Sequence, residues 1–192
     1  FTSGGVERLG IPELKMADGP LGIREEISRN SWANAGWDND FATYYPAAGA
    51  VAATWNPELS YTFGNSVGQE ARARDKDMLL SPAINIIRTP LGGRTYEYFT
   101  EDPFLNKKLA VPFIIGVQDN DVMACVKHFA VNNQETNRGT VDVLVDEQTK
   151  DSQRQQLNAE RERRATIATA EGLKRSTELN ADAQLYEAEK IA

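Results

Sequence analysis

Up to about residue 147, apolar positions come in short runs separated by longer amphipathic stretches. Leu14–Ala17, Met78–Ile87, Val122–Val126 and Val141–Val145 are brief, apolar and bounded by turn or charged residues, which predicts four strands. Helical patterns lie between them. Asn56-Pro57 opens one that runs toward Arg74, and Glu101-Asp102-Pro103 opens another that runs through Val117. Proline suits the first helical turn, where its missing N–H costs nothing. Strand–helix–strand alternation implies an α/β fold with parallel pairing and right-handed crossovers. A (β/α) barrel and a doubly wound sheet both satisfy that pattern. No Gly-x-Gly-x-x-Gly follows a strand, which weighs against the dinucleotide-binding version.

From Gln148 to Ala192 the pattern changes to a single predicted helix. It holds no proline and one glycine, Gly172. Ala159, Ala170, Ala181 and Ala192 recur at eleven-residue spacing, and the first three precede Glu160, Glu171 and Asp182. Eleven residues over three turns favours a gently right-handed coil. Its seam would be small residues with Leu179 and Leu185 among them. So polar a helix buries little apolar area alone, so it either takes partners or stays a solvated tail.

Composition sharpens the division. All 8 prolines precede residue 113, and residues 1–147 carry the entire formal charge of -7. Two domains are therefore expected, 1–147 and 148–192. An acidic chain lacks the basic face that sequence-independent nucleic-acid binding needs, so no nucleic-acid partner is expected. One cysteine, Cys125, and one histidine, His128, exclude a disulfide framework and a Cys/His metal cluster. No metal and no cofactor is expected. No apolar run reaches the roughly 18–20 residues of a membrane span.

Candidate chemistry collects after the predicted strands, where parallel barrels carry their functional groups. Asp18-Gly19-Pro20 through Arg24 follows the first. Pro90-Leu91-Gly92-Gly93-Arg94-Thr95-Tyr96-Glu97 follows the second. Lys127-His128-Phe129, Asn132–Glu135 and Arg138 follow the third, and Asp146-Glu147 the fourth. Such a mixture of carboxylate, guanidinium, ammonium and imidazole suits sugar hydroxyls, which both donate and accept. Each group has a plainer reading. Asp18 suits a turn cap, Arg94 a surface ion pair, and His128 a core position. Lys127, at the end of an apolar strand, needs a partner. Glu97, Glu101 and Asp102 resemble paired acid–base carboxylates, but Glu101-Asp102-Pro103 reads more simply as a helix start.

Three segments identify a family. "RLGIPELKMADGPLGIRE", "LLSPAINIIRTPLGGRTYEYFTEDPFL" and "ACVKHFAVNNQETNR" resemble the N-terminal domain of family 3 glycoside hydrolases, especially β-glucosidases, in order and spacing over nearly all of residues 1–147. The resemblance implies a (β/α) TIM-type barrel, here partial with about four βα units, followed by the long C-terminal helix. It implies retaining hydrolysis of terminal non-reducing β-D-glucosyl residues, with a β-glucoside or oligosaccharide as the partner ligand. Carried over, the glycone subsite comprises Asp18, Arg24, Arg94, Lys127, His128 and Arg138. Asp18 would accept from two hydroxyls, Lys127 and His128 would bind hydroxyls across the ring, and Arg138 would keep the nucleophile charged.

The chain departs from that family in its catalytic groups. The nucleophile is usually an aspartate in a Ser-Asp-Trp-like motif, and no Asp-Trp occurs here. No catalytic residue is therefore assigned, and the alternative is a non-catalytic sugar-site scaffold that oligomerises through its helix. "LNAERERRATIATAEGLKRSTELNADAQLYEAEKIA" is similar to the helical segment after the band-7 domain of stomatin and prohibitin relatives. That likeness implies a homo-oligomer through residues 153–192 and association with membranes.

Overall fold

A computed structural model of the chain describes residues 2–24 and 41–191. Ala192 and the side chain of Leu185 lie outside the described residues. The chain forms two compact units, the first ending at Val141 and the second beginning at Asp142.

In the first unit, β1 (Met16–Ala17), β2 (Met78–Leu79) and β3 (Met123–Ala124) form a parallel sheet in the order β1-β2-β3. Met16, Met78 and Met123 stand abreast. The β1-to-β2 crossover carries α1 (Ala48–Ala52) and α2 (Pro57–Ala73), and the β2-to-β3 crossover carries α3 (Pro103–Gln118). Both long helices start where local chemistry predicts. The Asn56 side chain accepts from the amides of Glu58 and Leu59, and Asp102 accepts from Phe104 N at 2.8 Å. Each cap satisfies amides that have no partner within the helix.

The strands are shorter than their apolar runs. Met78–Ile87 pairs regularly only at Met78 and Leu79, because Pro82 has no N–H to extend the ladder. Beyond it, Ala83 bridges Lys127 and Tyr98 singly. Val141–Val145 forms no strand. Val141, Val143 and Leu144 are exposed, and Val141 N turns back to Asn137 O at 2.9 Å rather than joining a neighbouring strand. Apolar content alone does not make a strand without a paired edge.

The core lies between the sheet and the two helices. Ala17, Leu79 and Val122 meet Val67 and Ala71 of α2 and Leu109, Phe113 and Val117 of α3, all buried. The helices touch through glycine. A Cβ on Gly64 would lie 2.2 Å from Phe113 O, and one on Gly116 would lie 2.4 Å from Tyr61 O. Between them, buried Ser60 donates to Leu109 O at 2.8 Å. Asn106, also buried, donates from Nδ2 to Ile84 O at 2.7 Å and so ties α3 to the segment after β2.

The second unit is α4 (Glu147–Ile191) with the short segment leading into it. Asp146 therefore belongs to a helix start rather than to the end of a strand: it accepts from Thr149 N at 2.8 Å. Lys150–Glu147, Arg154–Asp151, Arg163–Glu160, Arg164–Glu160 and Lys174–Glu178 line α4 at three- and four-residue spacing. Such exposed pairs are screened by solvent and support the helix only weakly. The forks of Arg163 and Arg164 on one carboxylate lower the Glu160 pKa to about 2. Among the described residues no helix is long and apolar enough to cross a membrane.

Candidate functional site

The C-terminal ends of the strands converge on one open cleft of about 760 Å³. Asp18 leaves β1, and Lys127 and His128 leave β3. Arg94 precedes a single 3-10 turn, Thr95–Glu97, that follows β2. Arg24 and Arg138 enter from the segments beyond β1 and β3. All six sequence-predicted residues line this cleft, together with Glu97, Glu135, Tyr96 and Cys125.

Lys127 sits at the centre. Its Nζ donates to Asp18 Oδ1 at 2.8 Å and stands 3.0 Å from Glu97 Oε2, the second contact lying outside hydrogen-bonding angles and acting through charge. The other Glu97 oxygen accepts from Arg94 Nε. Arg94 also approaches Glu135 Oε1 at 3.6 Å, and Glu135 Oε2 meets Arg138 at 3.2 Å. Alternating charges therefore run from Asp18 to Arg138 across the cleft. Burial works against the charge of Arg94, yet Glu97 and Glu135 raise its pKa above the ordinary guanidinium value.

Glu97 is the buried member, with a side chain only 1% exposed. Both of its oxygens face cations, so it serves as counter-ion to Arg94 and Lys127 rather than as a free acid or nucleophile. Sequence reasoning weighed Glu97 only as a carboxylate partner for Glu101 and Asp102. The structure separates them: Asp102 caps α3, Glu101 is exposed, and Glu97 turns inward. The signal available was its position three residues after Arg94, where a 3-10 turn eclipses side chains.

His128 is held from two directions. Its backbone N donates to Asn85 Oδ1 at 2.7 Å, across a cis Lys127–His128 peptide. Tyr98 Oη lies 2.9 Å from His128 Nδ1, and Asn132 Nδ2 donates to the same Tyr98 oxygen at 3.0 Å. The Tyr98 ring meets the imidazole edge-on. Burial, then the Arg94 charge, lowers the His128 pKa below its ordinary value. Burial and the nearby Glu97 charge push the Tyr98 phenol up to about 12. His128 is thus half-buried on the cleft wall rather than a core histidine; its partners Tyr98 and Asn85 were not among the sequence candidates, and Asn132 and Glu135 stood there only as part of the segment after the third strand.

Among the described residues, the charged groups of the cleft lining are Arg24, Arg94, Lys127 and Arg138 with Asp18, Glu97 and Glu135.

Residues 15–160 match the family described as glycosyl hydrolase family 3 N terminal domain. Over 143 residues the chain is 57% identical to beta-glucosidase BoGH3A of Bacteroides ovatus, covering 74% of this chain and 19% of that protein. It is 40% identical over 141 residues to an exo-alpha-(1->6)-L-arabinopyranosidase of Bifidobacterium longum, covering 73% of this chain and 19% of that one. Beta-glucosidase 3B from Thermotoga neapolitana, solved in complex with glucose, superposes with a TM-score of 0.63 at 43% identity, over 71% of this chain and 18% of its own. The chain spans about a fifth of the length of these relatives.

Proposed function

The chain belongs to glycosyl hydrolase family 3, whose N-terminal domain it matches over residues 15–160, and from that membership we propose that residues 1–147 form the glycone-holding part of a retaining β-glucosidase. Asp18, Arg24, Arg94, Lys127, His128 and Arg138 grip a terminal β-D-glucosyl residue. Asp18 accepts from sugar hydroxyls, while the cations and the imidazole donate. The observation that carries this reading is the convergence of all six on one cleft at the strand ends. The parallel strands in the order β1-β2-β3 fit the start of a (β/α) barrel, the fold that the family resemblance implies.

Retention needs two carboxyl groups about 5–5.5 Å apart across the scissile bond. Asp18 and Glu97 do not fit that task, because both are engaged by Lys127. In this reading the nucleophile and acid/base lie outside residues 1–147, and Arg138 stands near the nucleophile and keeps it ionised. The likeness to both a β-glucosidase and an arabinopyranosidase leaves the choice of sugar to groups other than these six.

Calorimetric titration of glucose into the full chain tests the grip. Binding that weakens at least about tenfold in Asp18→Ala is expected, since an unpaired hydroxyl in a polar site is costly. No binding at all would sink the reading. Turnover of an aryl β-glucoside by this chain alone would show that the carboxyl pair lies within it.

A second reading rests on α4, where Leu157, Ile167, Leu173, Leu179 and Tyr186 are all exposed. We propose that residues 153–192 associate with copies of themselves, making residues 148–192 an oligomerising domain.

A further inference from the structure

We propose that Tyr98 and Asn132 are positioning residues that fix His128 as the Nε2–H tautomer, so that this wall of the cleft offers a donor and takes an acceptor oxygen of the ligand. An amide nitrogen only donates, so Asn132 Nδ2 occupies an acceptor position on the Tyr98 oxygen at 3.0 Å. The Tyr98 proton is then free to point at His128 Nδ1, 2.9 Å away. A nitrogen that accepts carries no proton, which leaves the proton of a neutral imidazole on Nε2. Among the described residues Nε2 has no protein partner, and His128 lines the cleft.

The surroundings favour the neutral ring. Arg94 and Lys127 face His128 and oppose a further positive charge, while Glu97 and Asp18 favour it. Both carboxylates are neutralised by cations at close range, so burial and repulsion prevail. The Tyr98 phenol stays protonated at neutral pH and remains a donor. His128 Nε2 thus joins Lys127 and the guanidinium groups as a donor. The tautomer assignment stands by itself. That the accepting atom is a sugar hydroxyl oxygen rests on the glycone reading of the cleft.

His128 is the one histidine of the chain, so its ring nitrogens can be read without assignment. The test is two-bond proton–nitrogen NMR on the full chain labelled with nitrogen-15 histidine, near neutral pH. The expected result is an unprotonated Nδ1 and a protonated Nε2. Tyr98→Phe removes the proton that holds Nδ1, and the Nδ1–H form should rise roughly threefold or more. If Tyr98→Phe does not fold, Asn132→Ala reads the same relay, because Tyr98 then loses the donor that orients it. A protonated Nδ1 in the unsubstituted chain, the mark of a relay running from His128 to Asn132, overturns the proposal. So does a pattern unchanged by the variant that folds. Glucose added to saturation should move Nε2 more than Nδ1. A correct tautomer with no response to glucose removes the sugar reading and leaves the positioning role standing.

Discussion

Lys127 Nζ lies 2.8 Å from Asp18 Oδ1 although 109 residues separate them, and the same ammonium stands 3.0 Å from Glu97. One cation thus joins the ends of β1 and β3 through a carboxylate that a ligand also needs. Removing Asp18 leaves Lys127 paired with Glu97. Asp18→Asn should therefore cost about 1 kcal/mol of stability or less, as partly exposed pairs do. The same change should weaken glucose binding at least about tenfold, because it replaces one acceptor oxygen with an NH2 donor and removes the charge that the hydroxyls bond to. Urea unfolding and calorimetry on one preparation check the contrast. Equal losses in both would make Asp18 structural.

Glu97 should behave in the opposite way. Its side chain is 1% exposed and neutralises Arg94 and Lys127 together. Glu97→Gln leaves two cations short of a counter-ion in a half-buried site. Breaking a buried pair from one side costs about 3–5 kcal/mol, and the remaining partners, Glu135 and Asp18, soften this toward the lower end. Urea unfolding should show a large fall in midpoint, and a loss below that of Asp18→Asn would overturn the assignment.

The imidazole makes stability depend on pH in a narrow window. Burial, then the Arg94 charge, lowers the folded pKa of His128 below its ordinary value of 6.5. The unfolded state then binds a proton before the folded state does. The contribution is fully present above the unfolded pKa and is lost as pH falls toward the folded one. Between pH 7.5 and 6 the unfolding midpoint should fall, and His128→Gln should flatten that slope. A slope unchanged by the substitution would mean that His128 is as readily protonated folded as unfolded.

These outcomes bear on what the chain made legible. The caps Asn56 and Asp102 were readable because their partners lie two and three residues away, within the reach of local chemistry. The six cleft residues were readable because strand ends and three long family-like segments point to them. Glu97, Tyr98 and Asn132 were not, because their roles depend on contacts that cross the fold. Tyr98 meets His128 across 30 residues, and Glu97 meets Lys127 across the same span of chain. Strand lengths failed for a related reason. The run Met78–Ile87 is apolar throughout, but Pro82 interrupts its ladder. Val141–Val145 has the composition of a strand and no paired edge.

The approach of α2 to α3 is set by Gly64 and should not tolerate a side chain. A Cβ there would meet the backbone oxygen of Phe113 at 2.2 Å, which no rotamer change can relieve. Gly64→Ala must push the helices apart and loosen Phe113 and Val117 from the core. A loss of about 1–3 kcal/mol is expected, the usual cost of overpacking, despite the better helix propensity of alanine. Gly172→Ala, where nothing lies within 4 Å, is the control and should stabilise α4 slightly. Equal effects at the two sites would show that the helix contact yields easily.

The tail makes the last and most separable prediction. α4 is 45 residues long, and its exposed ion pairs support it only weakly. An isolated helix gains little else, so a lasting one needs a partner against its apolar side. Leu157 and Leu179 lie two eleven-residue repeats apart, which at 3.67 residues per turn puts them on one line along the helix. Both are exposed, at 59% and 60%. Leu173 is equally exposed, at 66%, but falls about a third of a turn away from that line. Sedimentation of the full chain should give a mass above the 21.3 kDa of one copy. Leu157→Glu with Leu179→Glu should return it to a single copy, while Leu173→Glu should leave the assembly largely intact. A chain that sediments as one copy at all concentrations removes self-association through α4. Dissociation by all three substitutions alike would place the contact on a broader face than the eleven-residue line.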